Sequence, residues 1–152
     1  MVRGAAALCV ILALFLGGCG SGGGNYQEVE ESPGSVIKIP LKDITSAGIL
    51  FYTYRHRSGL SSKNINFFVR QDALQQFHAY FDACHTCAKF FKGYGIDGTE
   101  IVCNECKKRF KLSDPDWKDN EGCLPIELKN EIRDGYLVIA ASDITSGERL
   151  FK

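Results

Sequence analysis

Between residues 34 and 83 the apolar positions fall in short β-branched and aromatic blocks and do not recur every three to four residues, a pattern that predicts strands. Val36-Ile37-Lys38-Ile39-Pro40 reads as one short strand, stopped by a proline that belongs at a strand end or edge. Residues 49–54 and 65–70 read as a hairpin pair around the turn-rich stretch from Arg57-Ser58-Gly59 to Lys63-Asn64, and residues 77–81 as a further strand. The C-terminal end repeats the style at residues 136–141 and again at Leu150-Phe151. A local echo accompanies it: Asp43-Ile44-Thr45-Ser46 with Leu50-Phe51 matches Asp143-Ile144-Thr145-Ser146 with Leu150-Phe151. Two similar strand-turn-strand pieces paired in one sheet would explain the echo, as would shared turn chemistry, and so short an identity does not establish duplication. No 3.6-residue period persists, and the short helices expected are residues 88–92 and 127–132.

A different pattern opens the chain. Met1-Val2-Arg3 is a short basic start, and residues 5–15 are an apolar run of signal-peptide length, too short for a comfortable permanent membrane span. The run ends in Leu16-Gly17-Gly18-Cys19, which resembles the lipobox of bacterial lipoproteins, where cleavage leaves a lipidated cysteine as the new N-terminus. Residues 1–18 are therefore expected to be a signal peptide and Cys19 a lipid anchor. Residues 19–33, rich in glycine and then acidic, are expected to be a flexible tether. The alternative is an ordinary signal peptide in which Cys19 is incidental.

The remaining residues, 34–152, suffice for one core. The chain is 45% hydrophobic and 24% charged, which excludes a wholly disordered or collagen-like protein. Its 18 basic residues balance 18 acidic ones, which argues against a nucleic-acid partner. The fold expected is mainly β, a small β-rich α+β domain with two Cys-x-x-Cys metal knuckles. It would be held to an extracytoplasmic membrane face, periplasmic or cell-surface, by the lipid.

Seven cysteines change the picture most. Cys9 would leave with the signal and Cys19 would carry lipid, so five belong to the domain. Cys84-His85-Thr86-Cys87 and Cys103-Asn104-Glu105-Cys106 have the spacing of a four-thiolate metal site, each pair presenting two sulfurs to one ion. Gly93, Gly95 and Gly98 permit a loop between them. Four thiolates around a divalent ion carry about two excess negative charges, which Lys107, Lys108, Arg109 and Lys111 are placed to offset unless they are simply a solvated basic face. Covalent haem is excluded, because Ala88 and Lys107 stand where histidine would follow each pair. Thioredoxin-like chemistry through Cys84 and Cys87 needs a βαβ frame that the glycine-rich interval does not suggest. Disulfides within each pair would close almost no loop, and five cysteines leave one over.

These residues, taken in order, carry a family resemblance. Phe67-Phe68-Val69-Arg70, Phe81-Asp82-Ala83-Cys84 with Cys87, Lys92-Gly93-Tyr94, Val102-Cys103-Asn104 with Cys106, Arg109-Phe110 and Gly122-Cys123 with Pro125 resemble the FtrD-like membrane iron–sulfur-containing proteins, over roughly residues 35–151. Members occur beside, or fused to, membrane iron and other metal permeases. The resemblance implies an extracytoplasmic metal-handling or electron-transfer domain with ligands at Cys84, Cys87, Cys103, Cys106 and Cys123. The family usually has glycine where this chain has Lys107 and Glu121; both changes fall in backbone that would favour positive φ. Fusion to transmembrane helices is also missing, a role the lipid on Cys19 would take.

A closed zinc site needs four cysteines, so Cys123 is either a spare buried or disulfide-bonded thiol or the fifth ligand of a binuclear centre or cluster. His78 and His85 are candidate additional nitrogen ligands, Asp82 a candidate for orienting a ligand, and His56, between Arg55 and Arg57, is expected to be solvated. The signal has no twin-arginine pair, so the chain would be exported unfolded and without a preassembled cofactor. Thiolate-bound Zn, Cu or Fe therefore ranks above an iron–sulfur cluster. The only Met is the initiator, so no thioether copper site survives in the mature chain. The leading expectation is a lipid-anchored metal-binding protein, not a stand-alone enzyme, serving a metal permease or a redox partner in membrane metal uptake or electron transfer. A thiol–disulfide oxidoreductase and a structural zinc-ribbon interaction module are the alternatives.

Overall fold

The β-branched and aromatic runs become eleven strands in the computed structural model, which describes residues 25–118 and 122–152. The signal segment, Cys9, Cys19 and Glu121 lie outside the described residues. In chain order the elements are β1 (Tyr26–Val29), β2 (Val36–Pro40), α1 (Leu41–Ala47), β3 (Ile49–Ser58), β4 (Ser61–Gln71) and β5 (Phe77–Cys84). There follow a 3-10 turn (Ala88–Phe90), β6 (Tyr94–Asp97), β7 (Glu100–Cys103), β8 (Arg109–Lys111) and β9 (Pro125–Glu127). The chain closes with β10 (Glu131–Arg133), β11 (Tyr136–Ala140), α2 (Ala141–Thr145) and a 3-10 turn (Glu148–Leu150). The expected mainly β class is what is found. No helix among the described residues is long and apolar enough to cross a membrane.

A five-stranded sheet, in the order β1-β3-β4-β5-β9, divides the molecule. The β3–β4 hairpin runs from Ile49↔Arg70 to Ser58↔Ser61 and so takes in most of the expected turn region; Gly59, at φ +60, supplies the left-handed step of the two-residue connection. From Phe67 to Arg70 β4 is buried on both sides, which is why Phe67-Phe68-Val69 reads as an unbroken apolar run and not as an alternation. One face, with Tyr52, Tyr54, Ile65, Phe67, Val69, Ala79, Phe81 and Ala83, packs against the sheet β10-β11-β2 and the two helices. The other face, with Phe51, Phe68 and Tyr80, carries a second core that contains Cys84, Cys87, Cys103 and Cys123 together with Tyr94, Ile101, Phe110 and Trp117. Full burial of a phenylalanine such as Phe67 or Phe68, each 0% exposed, stabilises the fold by about 1.5–3 kcal/mol.

Several expectations are corrected. The echo at Asp43 and Asp143 marks two strand-to-helix junctions, not strand-turn-strand pieces. β2 pairs antiparallel with β11, centred on Lys38↔Val138, and each strand runs straight into its helix. Ile44 and Ile144 are fully buried one turn into α1 and α2, so helical packing against the core outweighs their strand propensity. Leu150 and Phe151 form no strand; Leu150 ends a 3-10 turn, and the Phe151 ring packs 6.3 Å from Phe81. The helix expected over residues 127–132 is absent: β9 and β10 occupy its ends, and Leu128 donates its N–H to Ala79 O at 2.9 Å, so edge pairing to β5 decides the conformation. Residues 88–92 contain only the single 3-10 turn. The glycine-rich interval between the knuckles is a hairpin, β6–β7, extended by β8, with Gly98 at φ +60 in its turn. Within the stretch expected as a tether, Tyr26–Val29 is a strand that pairs parallel with β3 from Tyr26↔Phe51 to Val29↔Tyr54.

Candidate metal centre

The first knuckle forms where β5 ends. Cys84 is the last residue of that strand, and the backbone turns so that the Cys87 N–H points at Cys84 Sγ, 3.0 Å away. The second follows β7 in the same way. Cys103 ends the strand, its sulfur accepts the N–H groups of Glu105 and Cys106, and Cys106 accepts that of Lys108. Amides aimed at sulfur favour the thiolate, the form that binds metal. Lys107 N–H closes the turn on Cys103 O at 3.0 Å with Lys107 itself at φ +64, a conformation that glycine adopts without strain.

Cys123 arrives from elsewhere in the chain. Three hydrogen bonds hold its loop against the first knuckle: Thr86 Oγ1 to Gly122 O at 2.9 Å, Tyr94 Oη to Cys123 O at 2.9 Å and His85 N–H to Leu124 O at 3.3 Å. Its sulfur lies 2.9 Å from that of Cys106. The result is two sets of three sulfurs, Cys84 with Cys87 and Cys103, and Cys87 with Cys106 and Cys123, each set within 4.8 Å mutually. None of the five is in a disulfide; of them only Cys106 is exposed. This donor set, soft, close and unpaired by disulfides, fits a thiophilic metal.

The electrostatics are those of a site whose thiolates a cation would stabilise. Burial, followed by its hydrogen bonds to Cys84 and Cys106, pushes the Cys87 thiol up. The hydrogen bond with Cys106 and burial push Cys123 up to about 12. Burial also raises Cys103, despite the amides that favour its thiolate. Cys106 goes the other way: burial acts to raise it, but the bonds from Cys123, the Lys108 N–H, Cys103 and Cys87 outweigh this and hold it below the ordinary thiol range. Cys106 is thus the easy thiolate to form, whereas burial and sulfur–sulfur hydrogen bonds hold Cys87, Cys103 and Cys123 protonated. A bound cation removes that penalty.

A buttress lies beneath the knuckles. Asp82, buried two residues before Cys84, accepts the Tyr26 hydroxyl at 2.5 Å and the Tyr94 N–H at 2.7 Å. Burial pushes its carboxyl up against those bonds. Asp82 thus ties β1 and β6 to the strand that presents Cys84. Gly93 sits against it at φ +59, where an added Cβ would lie 2.2 Å from Asp82 Oδ2. Beside the cluster is a cavity of about 270 Å³, walled by Cys84, Cys87 and Cys103 and by Tyr26, Lys92 and Lys152 among others.

The histidines stand apart. His78 is six residues up β5 from Cys84, about 20 Å at the rise of a strand, and contacts Asp72 Oδ2 at 2.9 Å. His85 is exposed and in neither sulfur group. His56 faces Glu148 at 4.0 Å. Of the expected charge-balancing residues, Arg109 is engaged by Asp97 and Glu100, and Lys107 Nζ donates to Asn104 O. The βαβ frame needed for thioredoxin-like chemistry is not present among the described residues, where Cys87 leads into one 3-10 turn. Tyr26 was not legible as a site residue, since nothing near it in sequence bears on the cysteines.

The model of the family described as membrane iron–sulfur containing protein FtrD-like matches residues 44–151, more than two-thirds of the chain. The chain belongs to the FtrD-like family. All five domain cysteines fall inside the matched region, and the family description is of an iron-related, membrane-associated protein. No curated protein and no solved structure matches the chain.

Proposed function

We propose that this FtrD-like protein is a lipid-anchored, extracytoplasmic metal carrier that holds Fe, Cu or Zn on Cys84, Cys87, Cys103, Cys106 and Cys123. It would serve a membrane metal permease in uptake or a redox partner in electron transfer. The observation that carries the reading is the convergence of five cysteines, none in a disulfide, from three separate segments into one cluster. Two knuckles whose amides already point at sulfur support it further, since that arrangement is prepared for thiolates. When bound, a thiophilic ion would neutralise the cluster, and iron or copper would add one-electron chemistry. The anchor on Cys19 rests on the Leu16-Gly17-Gly18-Cys19 sequence alone.

A structural zinc ribbon is the second reading, favoured by the three-stranded sheet β6-β7-β8 between and beyond the knuckles. Against it stand the exposure of Cys106 and the cavity that reaches three sulfurs, because a structural site is normally closed. Elemental analysis and visible absorption of protein purified from the export compartment test the carrier reading, with intact mass measuring diacylation at Cys19. Bound transition metal that passes to a competing chelator within minutes is expected. Metal-free protein with intramolecular disulfides would overturn both readings, and zinc that resists chelation would favour the ribbon.

A further inference from the structure

We infer that the five thiolates form a two-ion centre in which Cys87 is the shared ligand, one ion held by Cys84, Cys87 and Cys103 and the other by Cys87, Cys106 and Cys123. This rests on the metal-binding reading above and specifies how its site is divided.

A tetrahedral ion bound at about 2.3 Å from each sulfur holds its ligand sulfurs about 3.8 Å apart, so a mononuclear site needs four mutually close sulfurs. The two Cys-x-x-Cys pairs by themselves would make that quartet and leave Cys123 outside. The geometry groups the sulfurs differently, into two triples with Cys87 common to both, while Cys103 and Cys106 also meet between them. Cys123 is no bystander: its loop is held by three hydrogen bonds, and its sulfur touches that of Cys106.

Charge points the same way. Five thiolates around one divalent ion leave about three excess negative charges, and around two ions about one. Four of the five sulfurs belong to buried residues, where unbalanced charge is most costly. Neighbouring cations are already engaged: Lys92 pairs with Glu105 at 2.5 Å, and Arg109 with Asp97 and Glu100. Lys152, on the cavity wall, is one further cation, and a second metal ion bound directly to sulfur would neutralise charge that the side chains leave over.

The two ions would differ in access. Each triple supplies three sulfurs and leaves a coordination position for another donor. The first triple lines the 270 Å³ cavity, so that position is reachable by a small solute thiol, a water or a donor group of a partner. The Cys87–Cys106–Cys123 ion is reached instead from the side of the exposed Cys106, so the two ions have different routes to solution.

The test loads full-length mature protein with ¹¹³Cd²⁺ under reducing conditions and reads stoichiometry by native mass spectrometry and the ions by ¹¹³Cd NMR. Two ions per chain and two resonances split by ¹¹³Cd–¹¹³Cd coupling through a common thiolate are expected. Cys123→Ser should lower the stoichiometry from two to one, and Cys87→Ser should weaken both sites by about tenfold or more. The coupling is read on the wild-type chain and so does not depend on any variant folding. One ion per chain with Cys123→Ser unchanged, or two uncoupled resonances, would overturn the shared-ligand centre while leaving metal binding intact. Acid-labile sulfide in protein isolated from its host would also overturn it, in favour of a cluster. A chain that takes up no ion would overturn the metal-binding reading itself.

Discussion

Gly93→Ala tests whether the Asp82 buttress holds the cysteine module in place. The new Cβ would lie 2.2, 2.7 and 2.8 Å from the three terminal atoms of the Asp82 carboxyl group. That carboxyl cannot step aside freely, because it is held between the Tyr26 hydroxyl and the Tyr94 N–H. Forcing alanine into φ +59 costs about 1–2 kcal/mol, and losing one hydrogen bond to a buried charged group about 1.5–3 kcal/mol more. The variant should therefore be less stable by about 2.5–5 kcal/mol. Urea unfolding of the zinc-saturated protein, followed by the emission of Trp117, reads this directly, since that tryptophan packs in the same core as the cysteines. A double-mutant cycle isolates the contact: with Asp82→Ala already present, Gly93→Ala should cost only the backbone share of about 1–2 kcal/mol. Equal costs in the two backgrounds, or a single-variant cost below about 1 kcal/mol, would refute the reasoning.

Three further outcomes are expected. Asp72 accepts the N–H groups of Leu74 and Gln76 and faces His78; burial acts to raise its carboxyl, but these partners hold it below the usual carboxylate range. Its contribution is thus complete above the unfolded value of about 3.9 and lost as pH falls through the lower folded value, so Asp72→Ala should cost about 1–3 kcal/mol at pH 7 and flatten the acid limb of a stability–pH curve. Lys107→Gly removes the strain of a non-glycine residue at φ +64 and should raise stability by about 0.5–1 kcal/mol, measured by urea unfolding; a loss would mean that the Lys107 Nζ bond to Asn104 O matters more. In metal-free reduced protein, iodoacetamide should label Cys106 first, because it is exposed and its thiol lies below the ordinary range, and metal should suppress that labelling; mass mapping that finds Cys84 or Cys103 first would contradict the site's geometry.

Where the sequence pattern was local and strong, it foretold the outcome. The paired runs around Gly59 became β3 and β4, and Val36 to Pro40 became β2, because long apolar strands have one way to bury themselves. It failed where two conformations were locally balanced. Asp43-Ile44 and Asp143-Ile144 carry strand-like residues, yet burial of the isoleucines after an antiparallel pair makes helices of both segments. Residues 127–132 carry helix-like spacing, yet the edge of β5 takes them as strand. The acidic stretch after Tyr26 looked like linker because its pairing partner, β3, lies more than twenty residues away.

By itself the sequence determined the chemistry: two Cys-x-x-Cys pairs and a fifth cysteine are a soft donor set whatever surrounds them, and glycine and turn residues at fixed offsets mark where the chain reverses. Only the tertiary structure decided the partition. It brought Cys123 to Cys106, shared Cys87 between two triples, tied Tyr26 to Asp82 and left His78 far up β5 on Asp72. The physical reason is that ligand type is a property of a single residue, whereas ligand sharing, burial and access depend on sheet register and on contacts between segments distant in sequence.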